Sequence, residues 1–342
     1  MSKLVTILGN QRNIEHLSDA RALGKLSHAY IINGPEGSGK KTFANYIAAA
    51  LECDRQPDLK KGPCRTCPSC VKAETDNHPD IVWVTHEKPG LISVAEIRTQ
   101  VIDDIQVKPY YGPYKIYIIS DAQFMNDFGQ NALLKTVEEP PEYGMILILT
   151  DNADGLLDTI RSRCIRLDME SLPNALVEDV LVKQKGIGRE EARGIAGFAR
   201  GNLGKALELA GGGKEAELKA FVEEILSDID KKDAFELFTA GGELDKVDGA
   251  KVIDIVRKWY RDVLVLKSTS DEEDLYFPNE MDALRAQAER ISFEGINNIL
   301  KDIDDAADQL EFSVKADAVF ENMFLRIRKD DKCSRDQVQA KR

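Results

Sequence analysis

A short apolar run, Ala29-Tyr30-Ile31-Ile32, leads into Gly34-Pro35-Glu36-Gly37-Ser38-Gly39-Lys40, and a helical stretch follows over 42–51. This strand, glycine loop and helix constrain the fold more than any other feature of the chain. The spacing G-x-x-x-x-G-K in that setting is the pattern of a phosphate-binding loop. Gly34, Gly37 and Gly39 let successive amides turn toward an anion. The start of the helix adds partial positive charge, and Lys40 reaches the outer phosphates. An ordinary glycine turn between strand and helix is the plain alternative.

Further apolar runs follow at Ile81-Val82-Trp83-Val84, Lys115-Ile116-Tyr117-Ile118-Ile119 and Met145-Ile146-Leu147-Ile148-Leu149. They are nearly continuous in apolar character, as in strands buried on both faces of a parallel sheet. Helical patterns at 94–105 and 129–137 separate them. The expected class is therefore α/β, with strands and helices alternating around one parallel sheet.

After about residue 168 the strand signals stop. Helices are expected at 172–188, 190–199 and 201–209, and Ala210-Gly211-Gly212-Gly213 reads as a linker. Beyond it the chain reads as all-helical. In 252–266, Val252, Ile253, Val256, Trp259, Tyr260 and Val263 recur mostly at spacings of three and four, which places Trp259 and Tyr260 in a core. Asp271-Glu272-Glu273-Asp274 reads as a solvated loop, and 331–342 as a polar tail.

The phosphate loop departs from its full pattern at one position. Lys41 follows Lys40 where a Ser or Thr hydroxyl should ligate Mg²⁺, and Thr42 comes one residue late. A slip of one residue turns a helical side chain by about 100°, so Thr42 is no substitute. The 115–119 strand runs into Ser120-Asp121-Ala122-Gln123. Asp121 suits either a metal partner of the loop or a helix N-cap. Ala122 stands where a Glu would polarise water, and a methyl group accepts no proton.

Of six cysteines, Cys53, Cys64, Cys67 and Cys70 lie within eighteen residues, while Cys164 and Cys333 stand apart. In a reducing compartment such clustering reads as a metal site before disulfides. Two residues between cysteines let thiolates converge on one ion, and a fourth arriving from the preceding helix closes a Cys₄ shell. Ligand type and number favour structural zinc, with an iron–sulfur cluster or free thiols as alternatives.

Lys and Arg number 46 and Asp and Glu 59, a net charge of −13. That balance argues against a broad electrostatic grip on DNA. No run is long and apolar enough to span a membrane, and the N-terminus lacks a secretory pattern. A cytoplasmic location is expected. With four histidines and no G-x-S-x-G elbow, Ser-His-Asp hydrolysis is not expected.

Four runs together carry a family resemblance. They are Leu26-Ser27-His28-Ala29-Tyr30 before the loop, the Cys₄ insertion over 53–70, Asn131-Ala132-Leu133-Leu134-Lys135-Thr136-Val137-Glu138-Glu139-Pro140-Pro141, and Thr159-Ile160-Arg161-Ser162-Arg163-Cys164. By them the chain resembles the bacterial DNA polymerase III clamp-loader subunits of the AAA+ class. The resemblance implies a RecA-like AAA+ domain over 1–168, a helical lid over 169–210 and an all-α collar over 214–330. It implies a five-membered ring with gamma/tau and delta subunits, which meets a sliding clamp and primed DNA. Arg163 matches the family's arginine finger, which reaches the nucleotide of a neighbouring subunit, and Thr150 matches the polar residue that senses the γ-phosphate.

Active gamma and tau subunits carry a hydroxyl after the loop Lys, an Asp-Glu pair and a lid Arg. Here those places hold Lys41, Asp121-Ala122 and Gly204, with Lys205 a weak stand-in. The resemblance therefore implies a ring member that keeps the fold and the finger while losing its own hydrolysis. Nucleotide binding at the degenerate loop stays open. A catalytically active gamma/tau-like ATPase and a zinc-dependent nucleic-acid-binding protein, with Lys60, Lys61 and Arg65 as its few cations, are the competing readings.

Overall fold

A computed structural model describes residues 7–55, 58–86, 90–269, 275–312 and 314–339, with the side chains of Lys246 and 332–339 excepted. The chain forms two compact units, 1–172 and 173–342. The acidic run at 271–274 and the Cys333 side chain lie outside the described residues.

The first unit is a five-stranded, all-parallel sheet. Its strands are β1 (Ala29–Asn33), β2 (Ile81–Val84), β3 (Lys115–Ile119), β4 (Gly144–Thr150) and β5 (Ile165–Asp168), in spatial order β2-β3-β4-β1-β5. Helices α1 (Gln11–Ala22), α2 (Lys40–Leu51), α3 (Pro68–Glu74), α4 (Val94–Ile97), α5 (Asp127–Glu138) and α6 (Asp158–Arg161) connect or flank them. Every residue of β3 and β4 is buried, as a strand covered on both faces must be. Tyr30 and Ile32 join Phe43 and Ile47 of α2 in one core. Ala29 and Ile31 point the other way and pack with Leu133 and Val137 of α5. Register pairs Asn33 with Thr150, so the carboxyl ends of β1 and β4 finish side by side. In open parallel sheets the chemistry gathers at that edge.

Two elements differ from expectation. β5 lies beyond the last expected strand, at the sheet edge, where only Leu167 of its four residues is buried. The stretch expected as one helix over 94–105 breaks instead. α4 passes into a π turn at Arg98–Ile102 and a short 3₁₀ turn at Asp104–Gln106. Val101 and Ile105 still reach the core, while the ladder does not continue.

The second unit is helical throughout its described residues. Its helices are α7 (Asn174–Lys185), α8 (Arg189–Ala199), α9 (Leu203–Leu209), α10 (Lys214–Ser227), α11 (Ala234–Glu243), α12 (Gly249–Thr269), α13 (Met281–Arg290), α14 (Phe293–Glu311) and α15 (Ala316–Gln339). Trp259 and Tyr260 are fully buried in its core, among Leu284, Ile299, Phe320 and Phe324. Trp259 Nε1 donates to Gln287 Oε1 at 2.7 Å, which satisfies the buried indole N–H. The 210–213 linker is a short turn between α9 and α10, and Phe198 and Leu209 share a core with α10–α15. As far as Gln339, the tail expected after 330 is a continuation of α15. Asp331 is fully buried and accepts from the Arg290 guanidinium, whose NH2 lies 2.7 Å from Oδ2.

Candidate functional site

The glycine loop fills the turn between β1 and α2. Gly37 and Gly39 hold φ of 79° and 90°, left-handed values that cost glycine nothing and strain other residues. Lys40 opens α2 with only 8% of its side chain exposed. Its ammonium donates to the carbonyl oxygens of Gly34 at 2.6 Å and Pro35 at 3.0 Å, and to Asp151 Oδ1 at 2.6 Å. Asp151 is the first residue past β4, and its Oδ2 accepts from Gln123 Nε2 at 3.1 Å.

Thr150 meets the loop through its backbone, where its carbonyl oxygen accepts the Gly34 amide at 3.2 Å. It is fully buried, and its hydroxyl is 3.1 Å from the Asn152 carbonyl and 3.3 Å from the Asn152 amide. The last strand position points into the sheet layer, so the next residue along meets Lys40. Asp121 does not act as a helix cap, since its side chain accepts no capping bond. It lies 2.9 Å from the Lys41 ammonium instead. The cation that replaces the expected hydroxyl thus rests on Asp121, one of whose two expected roles was as the loop's metal partner. Ala122 beside it is fully buried and offers no base.

Arg163 lies just past α6, with 39% of its side chain exposed, and its Nε is 2.6 Å from Glu138 Oε1 at the end of α5. One terminal nitrogen donates to the Thr159 carbonyl at 3.0 Å and to the Ser162 hydroxyl at 3.2 Å. The guanidinium is thereby fixed at the surface. Cys164 is partly buried, and burial pushes its thiol up to about 12, which leaves it an inert small hydrophobe. Lys205 is engaged within the second unit, 3.7 Å from both Glu215 and Asp254.

The four clustered cysteines do converge. One sulfur from each of Cys53, Cys64, Cys67 and Cys70 lies within 4.8 Å of the others. Sγ of Cys53 and Cys67 are 3.9 Å apart, as are those of Cys64 and Cys70. The edge of a tetrahedron with metal–sulfur bonds of 2.3 Å is about 3.8 Å. The Cys67 amide points at Cys64 Sγ and the Cys70 amide at Cys67 Sγ, each at 3.4 Å. Burial pushes the thiols of Cys53 and Cys70 up. It acts on Cys64 too, but N–H and hydroxyl donors from Thr66 and the Cys67 amide outweigh it and bring that thiol down to about 6. These four side chains could hold a metal ion in a closed shell, with no position left for substrate.

Glu52, His78 and Asp80 form a second buried group beside the first, with donor atoms also within 4.8 Å of one another. Most of their polar atoms are already committed, while the buried Glu52 Oε2 has no hydrogen-bond partner. Asp80 accepts the amides of Tyr110, Tyr111 and Gly112 at 2.7, 2.6 and 3.2 Å. His78 Nδ1 accepts the Asp80 amide, and its Nε2 meets the Ser69 hydroxyl at 3.0 Å. Glu52 Oε1 accepts the Tyr114 amide at 2.9 Å, and burial raises that carboxyl to about 8. The group is a scaffold that ties the cysteine insertion to the 110–114 loop. Sequence reading did not single out Glu52, Asp80 or Asp151. The signal available for Asp151 was an acid two residues past the apolar run 145–149.

Residues 9–173 match the family model described as "DNA polymerase III, delta subunit", a span that ends at the border of the first unit. The chain is 28% identical over 309 residues to the DNA polymerase III subunit delta' of Bacillus subtilis, covering 88% of this chain and 91% of that protein. It is 28% identical over 264 residues to the Escherichia coli subunit tau, covering 74% of this chain but 39% of that longer protein. A solved gamma subunit-related protein from Thermotoga maritima aligns over 93% of this chain and 99% of its own, at 19% identity and a TM-score of 0.48.

Proposed function

Because the chain belongs to the DNA polymerase III clamp-loader subunits, with delta', gamma and tau among its relatives, we propose that it is a delta'-like ring member that does not hydrolyse ATP. Its part is to present Arg163 to the nucleotide of a neighbouring gamma/tau subunit, in a five-membered ring that also contains delta. That ring loads a sliding clamp on primed DNA in the cytoplasm. No helix among the described residues is long and apolar enough to cross a membrane. In this reading 1–168 is the AAA+ domain, 169–210 the lid and 214–330 the collar, and Cys53, Cys64, Cys67 and Cys70 hold a structural zinc ion.

The observation that carries the reading is the pairing of Lys41 with Asp121 at 2.9 Å, next to the methyl group of Ala122. The Asp121 carboxylate is paired with the chain's own ammonium, and Ala122 beside it has no group to deprotonate water. Arg163 supports the second half. Its guanidinium is planar, permanently charged and partly exposed, and it contacts the carboxylate of a half-exposed Glu138. A phosphoryl group developing charge would compete well for such a donor.

Reconstitution with the partner ATPase and delta subunits tests both halves. The Arg163→Ala ring is expected to assemble, while hydrolysis at the adjacent site falls about tenfold or more, since such fingers supply about 10³ or more elsewhere. Unchanged turnover in an assembled ring defeats the assignment of Arg163. Robust Mg²⁺-dependent turnover by the isolated chain, destroyed by Lys40→Ala, overturns the non-hydrolysing role.

A further inference from the structure

We propose that Asp151 is an internal anion that takes the place of a phosphate in the glycine loop and keeps nucleoside triphosphates out. The inference deepens the non-hydrolysing reading and rests on it only for treating the loop as a phosphate cradle. Loss of a metal-ligating hydroxyl and a catalytic base explains absent hydrolysis, but neither loss prevents binding. Asp151 does.

An ammonium has three N–H donors. Lys40 spends one each on the Gly34 carbonyl, the Pro35 carbonyl and Asp151 Oδ1, at 2.6, 3.0 and 2.6 Å. None is left for a phosphate oxygen. The Asp151 carboxylate sits where the Lys40 charge would draw an outer phosphate, and two anions in that space repel. Gln123 fixes it from the other side, donating from Nε2 to Oδ2 at 3.1 Å while its Oε1 lies 3.4 Å from the Asp151 amide. The placement follows from the sheet. β4 and β1 end together, so the residue after Thr150 stands over the loop that leaves β1. The neighbouring charges close in the same way, with Lys41 on Asp121.

The cradle itself is intact behind this contact. Gly37 and Gly39 keep their left-handed turns. The Ser38 hydroxyl is buried with no hydrogen-bond partner, a donor within the loop that has not been spent. Removing one negative charge should therefore open a site rather than destroy one.

The test is ATP titration of the full chain by calorimetry, with and without Mg²⁺. Wild type is expected to show no saturable binding up to about 1 mM ATP, and Asp151→Asn to bind at least tenfold more tightly. Asp151→Ser, which also removes the charge, is expected to behave alike and serves if the Asn variant does not fold. Adding Lys40→Ala to either variant should abolish the gain. ATP should raise the melting temperature of the Asp151 variants and leave wild type unmoved. Wild-type binding as tight as the variants', or a gain that survives loss of Lys40, overturns the proposal. Either result leaves the Arg163 test in the assembled ring standing, so the two claims fail separately.

Discussion

Helix α2 has a site at each end, and the two ends have opposite chemistry. At its start every charge is answered from within the chain, Lys40 by Asp151 and Lys41 by Asp121. At its end the chain passes through Glu52 to Cys53, where sulfur meets sulfur at 3.9 Å and backbone N–H groups at 3.4 Å. A polar group that has found its partner no longer needs a ligand. Four thiols at tetrahedral spacing have a joint capacity that a metal ion meets far better than neighbouring sulfur does. One end of the helix has closed and the other still asks for something from outside. If Asp151 keeps nucleotide out and the thiols hold zinc, as proposed, the same scaffold has lost one cofactor and depends on another.

Removing the metal should break the comparison most strongly. Structural zinc sites in small modules carry roughly 10 kcal/mol or more of folding free energy. Zinc is expected at one ion per chain by elemental analysis. Chelation, or Cys70→Ser at a fully buried ligand, is expected to cost on the order of 5 kcal/mol or more in local stability, read as new proteolytic cleavage within 54–70. Metal-free protein that melts and resists protease like wild type would show that the cysteine end is closed too.

Asp80→Ala should come next. The carboxylate is 1% exposed and accepts three backbone amides of the 110–112 stretch. A buried donor without an acceptor costs about 1–3 kcal/mol, so losing three predicts roughly 3 kcal/mol or more in denaturant melts. Zinc stoichiometry is expected to hold, because Asp80 supports the insertion without ligating the ion. Asp80→Asn, which keeps one acceptor oxygen, should recover part of the loss. Loss of the metal with Asp80→Ala would place the polar scaffold inside the metal site and blur the contrast between the two ends.

The parts legible in the sequence are those set by short spacings. Apolar runs gave four of the five strands, the glycines and Lys40 gave the loop, and two-residue gaps gave the thiol cluster. β5 escaped because an edge strand with one buried residue carries no apolar run. The 94–105 helix was over-read because period alone does not reveal a π turn. Asp80 and its amides are about thirty residues apart in sequence, and Glu52 is sixty-two from Tyr114. Nothing local links them. Asp151 escaped because an apolar run does not reveal that a residue just beyond it meets Lys40, a hundred and eleven positions away. Asp331 was hidden because Arg290, which donates to it, lies on another helix forty-one residues away.

Lys41→Ser is the smallest change and the sharpest probe of the closed end. It returns a hydroxyl to the position after Lys40 and frees Asp121 from a cation that is 59% exposed. An ion pair so open to solvent contributes about 0.2–1 kcal/mol, which for a domain of this size shifts the melting temperature by only about 1–3 °C. Its effect on turnover should be smaller still. Ala122 remains unable to accept a proton, and Lys40 remains saturated by Asp151 and two carbonyls. ATP hydrolysis by the isolated Lys41→Ser chain is therefore expected to stay at the level of a protein-free blank. Measurable Mg²⁺-dependent turnover from this single change would show that one misplaced ammonium, and not the internal anion and the missing base, had kept the site silent.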